Sequence, residues 1–392
     1  MTYLQKLEGN IRKYYLATAL MQFTFFIPII QLFYIENGLT IFNIALLGVI
    51  WSLTRIVLEL PSSILADRWG RKRVLIISAM FGTLQLVTLI FASNYWHFLL
   101  ASAFSAMAFA FASGTNMAFF YDTLKELKRD RDFEKLWSRQ LIYEQIPLII
   151  AFLSSGFLFQ YSKLLPFQLS LAFLIASFVV IITLREPRYH KPLKNTGMFG
   201  HFRDSMRHIA GSRQLRAVLI FSIIFSIGSD ISYNYGQIYL NYLAMPIVLF
   251  GVVYTFKSLL VTFSGNITLS VRKRISYGNI FALQIIVATV LLYIMVLANN
   301  YILGAVCFVL FALPHGFFVI SRSGYLHSRT KSFNRATVES VFSFVLAAVF
   351  LLVEPVVGYL ADLYSIKLPF LLIAIVMTVY CVYFLAFERG RL

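Results

Sequence analysis

Polar side chains recur at helical spacing inside one long apolar stretch of this 392-residue chain. Asp230, Asn234, Gln237 and Asn241 follow one another at intervals of three and four residues, with Tyr233 adjacent. This spacing places them along one face of a helix. Polar groups facing lipid are costly, so such a stripe is typical of the wall of a water-filled cavity. The pattern predicts a solute-binding surface, in which Asp230 could also carry a proton.

Three further ionisable side chains lie within other apolar stretches, and each is a candidate for contact with solute or protons. Lys257 lies near the middle of its stretch, and we expect it to pair with Asp230. His315 follows Pro314, which predicts a locally broken helix. A packing role for His315 stays open beside proton transfer. Arg322 follows seven residues later on the same face.

Two acidic positions in the first half of the chain suit different roles. Glu144 lies in an apolar stretch, and a carboxylate shielded from water can exchange protons near neutral pH. Asp230 and Glu144 are therefore the candidates for proton coupling.

Arg55 and Glu59 are four residues apart, which fits a local ion pair as well as a substrate role. The candidate cavity residues are Gln31, Tyr34, Arg55, Asn116, Asp230, Tyr233, Asn234, Gln237, Lys257, His315 and Arg322.

Membrane-spanning helices must hold these side chains. Hydrophobic residues make up 59% of the chain and charged residues 13%, whereas soluble proteins have about a quarter of their residues charged. A bilayer span needs about 20 mostly apolar residues, a run that buried soluble helices seldom contain. Twelve stretches qualify: 12–36, 41–65, 73–92, 96–122, 137–160, 164–184, 215–240, 246–270, 277–298, 301–325, 335–361 and 366–387. We predict an all-α polytopic membrane protein with twelve transmembrane helices.

The distribution of positive charge predicts the orientation. Nearly all of the 34 Lys and Arg residues fall in alternate loops and at the termini, while the opposite loops hold only Lys163 and Lys367. Positive residues concentrate on the cytoplasmic side, so both termini are expected there, in an inner (plasma) membrane. The same rule explains the net charge of +17, and we expect no nucleic-acid partner.

The chain is predicted to form two related halves. Residues 1–185 and 214–392 would each form a six-helix bundle, joined by a cytoplasmic linker at 186–213 that has a possible amphipathic helix from Met198 to Ile209. The second stretch contains LLGVIWSLTR and the eighth LFGVVYTFKS, and both run into a basic loop. These parallels favour two bundles in a pseudo-twofold arrangement.

The loop after the second stretch reads ELPSSILADRWGRKRVL. It resembles the G-x-x-x-D-R-x-G-R-K loop of the major facilitator superfamily, although Ser63 replaces the first Gly. Glu59 and Pro61 resemble an exporter-like subset of that family, as does SGTNMAFFYDTLKE at the end of the fourth stretch. The residues that match the loop pattern are Asp67, Arg68, Gly70, Arg71 and Lys72.

This resemblance implies a cytoplasmic gate formed by these loop residues and Asp122. Asp67 would dock at the start of the eleventh helix, near Ser332 and Asn334, and Arg71 would reach Asp122. Loss of these contacts would favour the inward-open state. The basic residues could instead be determinants of topology alone.

The functional hypothesis is a secondary active transporter working by alternating access, with a small-molecule substrate and H⁺ as the coupling ion. Proton-coupled export of small amphiphilic compounds comes first. Uptake or facilitated diffusion of a small polar or anionic metabolite is the alternative. Arg55, Lys257 and Arg322 would suit an anion if they are not already paired. A non-transporting receptor or scaffold is an alternative of another class. We expect no enzyme activity, no cofactor and no metal site, and a monomer in the lipid bilayer.

Overall fold

The computed structural model describes residues 2–188, 203, 206–207, 209–329 and 335–392. These ranges are almost entirely helical, and no strand occurs within them. The α-helices of the described ranges are α1 (Tyr3–Met21), α2 (Ile30–Glu36), α3 (Ile41–Trp69), α4 (Arg71–Ile90), α5 (Tyr95–Ala112), α6 (Thr115–Glu126), α7 (Phe133–Tyr161), α8 (Leu165–Ile182), α9 (Arg213–Tyr242), α10 (Val248–Arg272), α11 (Tyr277–Leu297), α12 (Tyr301–Leu310), α13 (Ala312–Arg329), α14 (Arg335–Leu363) and α15 (Lys367–Phe387).

Eleven helical segments of the described chain are long and apolar enough to cross a membrane. They coincide with the second to the twelfth predicted stretches. Because each segment satisfies its own backbone hydrogen bonds, it can lie in hydrocarbon without exposing polar groups. The prediction of an all-α polytopic membrane protein is confirmed.

The first predicted stretch, 12–36, is wrong as one continuous helix. α1 begins at Tyr3, where Thr2 and Gln5 form a reciprocal capping box, and it ends at Met21. The chain resumes helical structure in a 3₁₀ turn at Ile27–Ile29, followed by α2. Pro28 has no amide hydrogen to donate, so an unbroken helix is disfavoured there.

Two of the spans are interrupted near their middle. α5 gives way to α6 at Ser113 and Gly114, where Gly114 adopts a φ of +72°. α12 gives way to α13 at Phe311. Pro314 cannot donate a hydrogen bond to the carbonyl of Leu310, which explains the second interruption. The predicted break near His315 is confirmed.

The chain divides into two compact units. Unit 1 comprises Met1–Phe33 and Leu46–Lys194, and unit 2 comprises Tyr34–Ala45 and Asn195–Leu392. In unit 1, α4 packs against α5 and α8, and α1 packs against α7 and α8. Most of the predicted surface helix at 198–209 lies outside the described residues.

Unit 2 is organised around α9. This helix contacts α11, α12, α13, α14 and α15. Its Phe221 and Phe225 rings are fully buried and pack against Phe281 and Phe318. With one helix in contact with so many others, a polar side chain on α9 meets partners from distant parts of the sequence.

Candidate functional site

α9 carries small hydroxyl side chains into the interior of unit 2. Ser222, Ser226 and Ser229 are buried at helical spacing. Ser229 Oγ lies 2.6 Å from Nδ1 of His315, just beyond the start of α13. Either atom can be the donor, depending on the imidazole tautomer. His315 is therefore anchored to α9, and the other ring nitrogen remains for a second contact.

A second pair joins α9 to α14. Asn234 Nδ2 donates a hydrogen bond to Glu354 Oε1 at 3.0 Å, and Glu354 is 5% exposed. The other carboxylate oxygen, Oε2, is buried without a hydrogen-bond partner among the described residues. Leaving a buried acceptor unsatisfied costs about 1–3 kcal/mol. This oxygen is thus suited to bind a proton.

Lys257 lies near the middle of α10 and is 8% exposed. Its Nζ lies 3.5 Å from the ring centroid of Phe308 and 5.0 Å from that of Tyr233. Gly236 makes this arrangement possible, because a Cβ there would overlap the Phe308 ring. The expected ion pair with Asp230 is not formed within 4.0 Å in the described chain, because the ammonium lies over Phe308 instead.

The charge of Lys257 is only partly compensated. Its ammonium donates no hydrogen bond to any side chain or carbonyl that the structure describes. Removing an ammonium from water costs several kcal/mol. A cation–π contact contributes about 0.5–2 kcal/mol. The aromatic contacts are therefore too weak to offset the burial of this charge on their own.

Arg322, in contrast, has a partner. Its Nη2 lies 3.7 Å from Oε2 of Glu339 in α14, and its guanidinium lies over the ring of Phe318. His327 Nε2 lies 3.8 Å from the other oxygen of Glu339. Arg322 therefore forms an ion pair with Glu339, a residue that our sequence interpretation did not include.

Asp230 links these groups electrostatically. Its carboxylate makes no hydrogen bond or ion pair with the residues described by the structure, but the charges of Lys257 and Arg322 act on it. Its own charge acts on Glu354. We define the C-terminal polar cluster, which lies wholly in unit 2, by its members: Asp230, Asn234, Lys257, His315, Arg322 and Glu354.

The rest of the predicted stripe on α9 has mixed surroundings. Tyr233 is 53% exposed, whereas Gln237 is 4% exposed and close to Tyr254 of α10. Asn241 is exposed near the end of the helix. The face marked by this spacing is therefore accessible at Tyr233 and packed against α10 at Gln237.

Glu144 forms a separate polar site in unit 1. Gln140 Nε2 donates to Glu144 Oε1 at 2.7 Å. The charge of Glu144 acts on Tyr14 of α1, and Tyr143, the residue before Glu144, stacks on Tyr15 at 5.4 Å between ring centroids. The structure thus places the two predicted proton-coupling acids in different units.

The other predicted cavity residues are distributed over both units. Arg55 Nε lies 3.9 Å from Glu59 Oε2, and its guanidinium lies over the Phe109 ring, so its charge is matched within unit 1. Asn116 is half-buried in the first turn of α6. Gln31 is half-buried in α2 and belongs to unit 1, whereas Tyr34 is buried and belongs to unit 2.

The predicted gate loop is ordered by contacts within unit 1. Arg71 Nη1 lies 2.9 Å from Asp122 Oδ2, so the pair that the resemblance implies is present. Arg68 is exposed, and Lys72 is partly buried. The implied partners of Asp67, Ser332 and Asn334, lie outside the described residues. The gating role of the loop stays a prediction.

Glu186 is a further part of this loop region. It follows α8 in the chain, and its carboxylate accepts the backbone N–H groups of Arg71 and Lys72, each at 2.7 Å. Gly70, the residue before α4, has no side chain to cap the helix. Glu186 therefore supplies the missing cap, and its charge is favoured by the helix dipole.

Among the described residues, no group of three or more His, Cys, Asp or Glu side chains could hold a metal ion.

Comparison with known proteins identifies the family of this chain. No curated protein sequence matches this chain. The family model of the Major Facilitator Superfamily matches residues 15–353. The chain belongs to the Major Facilitator Superfamily. It is a membrane transporter rather than an enzyme.

Solved structures share the fold of this transporter at low sequence identity. A mutant of the nucleoside transporter NupG has a TM-score of 0.83 at 14% identity, covering 98% of this chain and 99% of that one. A bacterial homolog of the human lysosomal transporter Spinster has a TM-score of 0.74 at 12% identity, with coverages of 98% and 97%. A POT family transporter in complex with 5-aminolevulinic acid has a TM-score of 0.72 at 11% identity, with coverages of 99% and 96%.

Our sequence interpretation missed several partners within the transporter. Ser229, Phe308 and Glu339 contact His315, Lys257 and Arg322, respectively. The helical spacing of the serines on α9 was a usable local signal for Ser229. Phe308 and Glu339 carry no local signal, because an apolar residue in an apolar span and an acid near a helix start are both ordinary.

Proposed function

We propose that this transporter moves a small polar organic solute across the bilayer by alternating access, coupled to protons. The observation that carries the proposal is the C-terminal polar cluster, which combines Lys257, Arg322 and His315 with the carboxylates of Asp230 and Glu354. Ionisable groups within membrane spans are expensive and are kept where they act on solutes or ions. So dense a cluster suits a polar solute better than an amphiphile.

The solved neighbours lend support of a general kind. They include a nucleoside transporter and a POT family transporter in complex with 5-aminolevulinic acid, and nucleosides and 5-aminolevulinic acid are polar molecules. The proposed proton carriers are Asp230, which has no hydrogen-bond or ion-pair partner among the described residues, and Glu144. The charge distribution supports cytoplasmic termini.

Proton-coupled export of amphiphilic compounds is the second candidate, and one observation favours it. In unit 1 the charge of Glu144 acts on Tyr14, and the neighbouring Tyr143 stacks on Tyr15, so a carboxylate close to aromatic rings would suit a lipophilic cation. This candidate would place solute recognition on α1 and α7, and leave the C-terminal polar cluster to proton transfer.

The test is transport by the purified protein in proteoliposomes with a pH-sensitive dye trapped inside. Nucleosides, dipeptides, small carboxylates and lipophilic cations are added in turn to wild type, Asp230→Asn and Glu144→Gln. Proton movement that depends on a polar solute and is lost in Asp230→Asn supports the proposal. A response to lipophilic cations that depends on Glu144 favours export of amphiphiles, and solute flux without proton movement contradicts proton coupling.

A further inference from the structure

We propose that the transported solute is a small organic anion whose negative group binds Lys257, an inference that rests on the function proposed above. Lys257 is 8% exposed, and its ammonium donates no hydrogen bond within the described chain. The other strong base of the C-terminal polar cluster, Arg322, already faces Glu339 at 3.7 Å. Of the two strong bases, Lys257 is therefore the one without an ion-pair partner within 4.0 Å in the described chain.

The aromatic neighbours of Lys257 define the side from which a ligand can approach. Phe308 is fully buried and covers the ammonium at 3.5 Å from its ring centroid. The Tyr233 ring, at 5.0 Å, is 53% exposed. A ligand therefore reaches Nζ from the Tyr233 side, where the phenol hydroxyl can supply another hydrogen-bond donor.

The chemistry of the ammonium selects the class of ligand. An ammonium has three N–H donors and no acceptor. A carboxylate offers the acceptor oxygens and the opposite charge, which together make a short, strong hydrogen bond. A cation would be repelled, and a neutral solute would leave the buried charge uncompensated. A small carboxylate matches the site best.

Asp230 would couple this anion to a proton. When ionised, Asp230 offsets the charge of Lys257 and repels an entering carboxylate; when protonated, it does neither. The charged groups that act on Asp230 are Lys257 of α10 and Arg322 of α13, and Asp230 itself acts on Glu354 of α14. His315 of α13 is held by Ser229. An anion and a proton therefore bind together, and the cluster keeps the same net charge when loaded.

The chain offers a matched control for this lysine. Lys367 also lies over a ring, that of Tyr242, with 5.7 Å from Nζ to the centroid. However, its ammonium donates to the carbonyl of Ala298 at 2.7 Å, so its charge has a partner. Lys367→Gln therefore removes a lysine over an aromatic ring without removing the proposed anion site.

The experiment measures uptake into proteoliposomes of acetate, lactate, benzoate, succinate and glutamate, with lactamide and benzamide as neutral counterparts. Wild type is expected to take up at least one carboxylate, faster with an inward proton gradient; for a monocarboxylate, uptake should not respond to an imposed membrane potential. Lys257→Gln is expected to weaken the apparent affinity for that carboxylate at least about tenfold relative to wild type. Lys257→Arg keeps part of the affinity, and Lys367→Gln behaves as wild type. Thermal stabilisation by the same compounds reports binding in any variant that folds but does not transport.

Equal carboxylate affinity in Lys257→Gln and wild type would overturn the inference. So would transport of lactamide or benzamide with no response to any carboxylate, although the proposed function would then stand. Failure of every compound, of whatever charge, to bind or move would count against the proposed function as well. If Lys257→Gln does not fold, Lys257→Arg and the neutral counterparts still decide, because the inference requires both a retained charge and a charged ligand.

Discussion

The carboxylate of Glu186 fills the space that a side chain at Gly70 would need. A Cβ built on Gly70 would lie 2.9 Å from Glu186 Cδ, and Gly70 has a φ of +96°. From this position Glu186 accepts the N–H groups of Arg71 and Lys72 at the start of α4. The lack of a side chain at Gly70 and its positive φ therefore both allow one contact. In it, Glu186, which follows the sixth span, binds the start of α4 in the predicted gate loop.

Gly70→Ala is expected to destabilise the protein in two ways. The backbone of Gly70 (φ +96°, ψ 148°) lies in a region essentially restricted to glycine, so a residue with a Cβ costs about 1–3 kcal/mol there, and the methyl group displaces the carboxylate of Glu186. Gly38→Ala is the control, because Gly38 has a φ of +82° with nothing within 4 Å of a built Cβ. Thermal unfolding of the purified variants should show the larger loss for Gly70→Ala, and equal losses would contradict the role of Glu186.

The ion pair between Arg71 and Asp122 can be tested by exchange of its charges. Asp122 is 7% exposed, so Asp122→Asn leaves Arg71 without its buried partner and should cost about 1.5–3 kcal/mol of stability. The double variant Arg71→Asp with Asp122→Arg should recover part of this loss and part of the transport rate. A double variant no better than the sum of its single changes would show that the two side chains act independently.

Asp67 tests the proposed gating role of the loop. Asp67→Asn keeps the shape of the side chain and removes its charge, so we expect slower transport with normal expression and stability. The measurement is the rate of solute uptake per reconstituted protein, with exposed Glu134→Gln as a control for the loss of one acid. An unchanged rate would leave the loop as a determinant of topology alone.

The contact between Ser229 and His315 predicts a specific effect of a small change. Ser229→Ala leaves the buried imidazole nitrogen without its partner, which should cost about 1–3 kcal/mol and lower the transport rate. Ser222→Ala is matched in burial and helix, but Ser222 Oγ donates to the carbonyl of Val218 in its own turn. Transport assays on both variants should separate them, and similar rates would argue against a positioning role for Ser229.

Gly236 is expected to control the ring that covers Lys257. Gly236→Ala inserts a methyl group into the Phe308 ring position, an overpacking that should cost about 1–3 kcal/mol. Displacement of the ring should also raise the KM for any carboxylate bound at Lys257. Gly9→Ala in α1 meets nothing within 4 Å and should not lower stability. Unchanged KM in a folded Gly236→Ala protein would contradict the positioning of Lys257 by Phe308.

Local features of the chain predicted most of the fold. Eleven of the predicted stretches coincide with candidate spans, because the length of an apolar run reflects bilayer thickness and needs no distant partner. Pro314 marked the break before His315 for an equally local reason. The first stretch was predicted wrongly as one continuous helix, since hydropathy does not show where a helix is interrupted, here between Met21 and Ile27.

The sequence by itself determined the class of protein, the loop motif and the set of ionisable residues in the spans. Only the tertiary structure decided which contacts form between distant residues. Arg322 pairs with Glu339, Asn234 donates a hydrogen bond to Glu354, and Glu186 accepts the N–H of Arg71 at the start of α4. The expected pair of Lys257 with Asp230 was plausible from charge alone, but in the structure the ammonium lies over Phe308. Spacing along one helix gives the face that a side chain occupies, whereas its partner depends on how separate helices pack, which apolar periodicity does not encode.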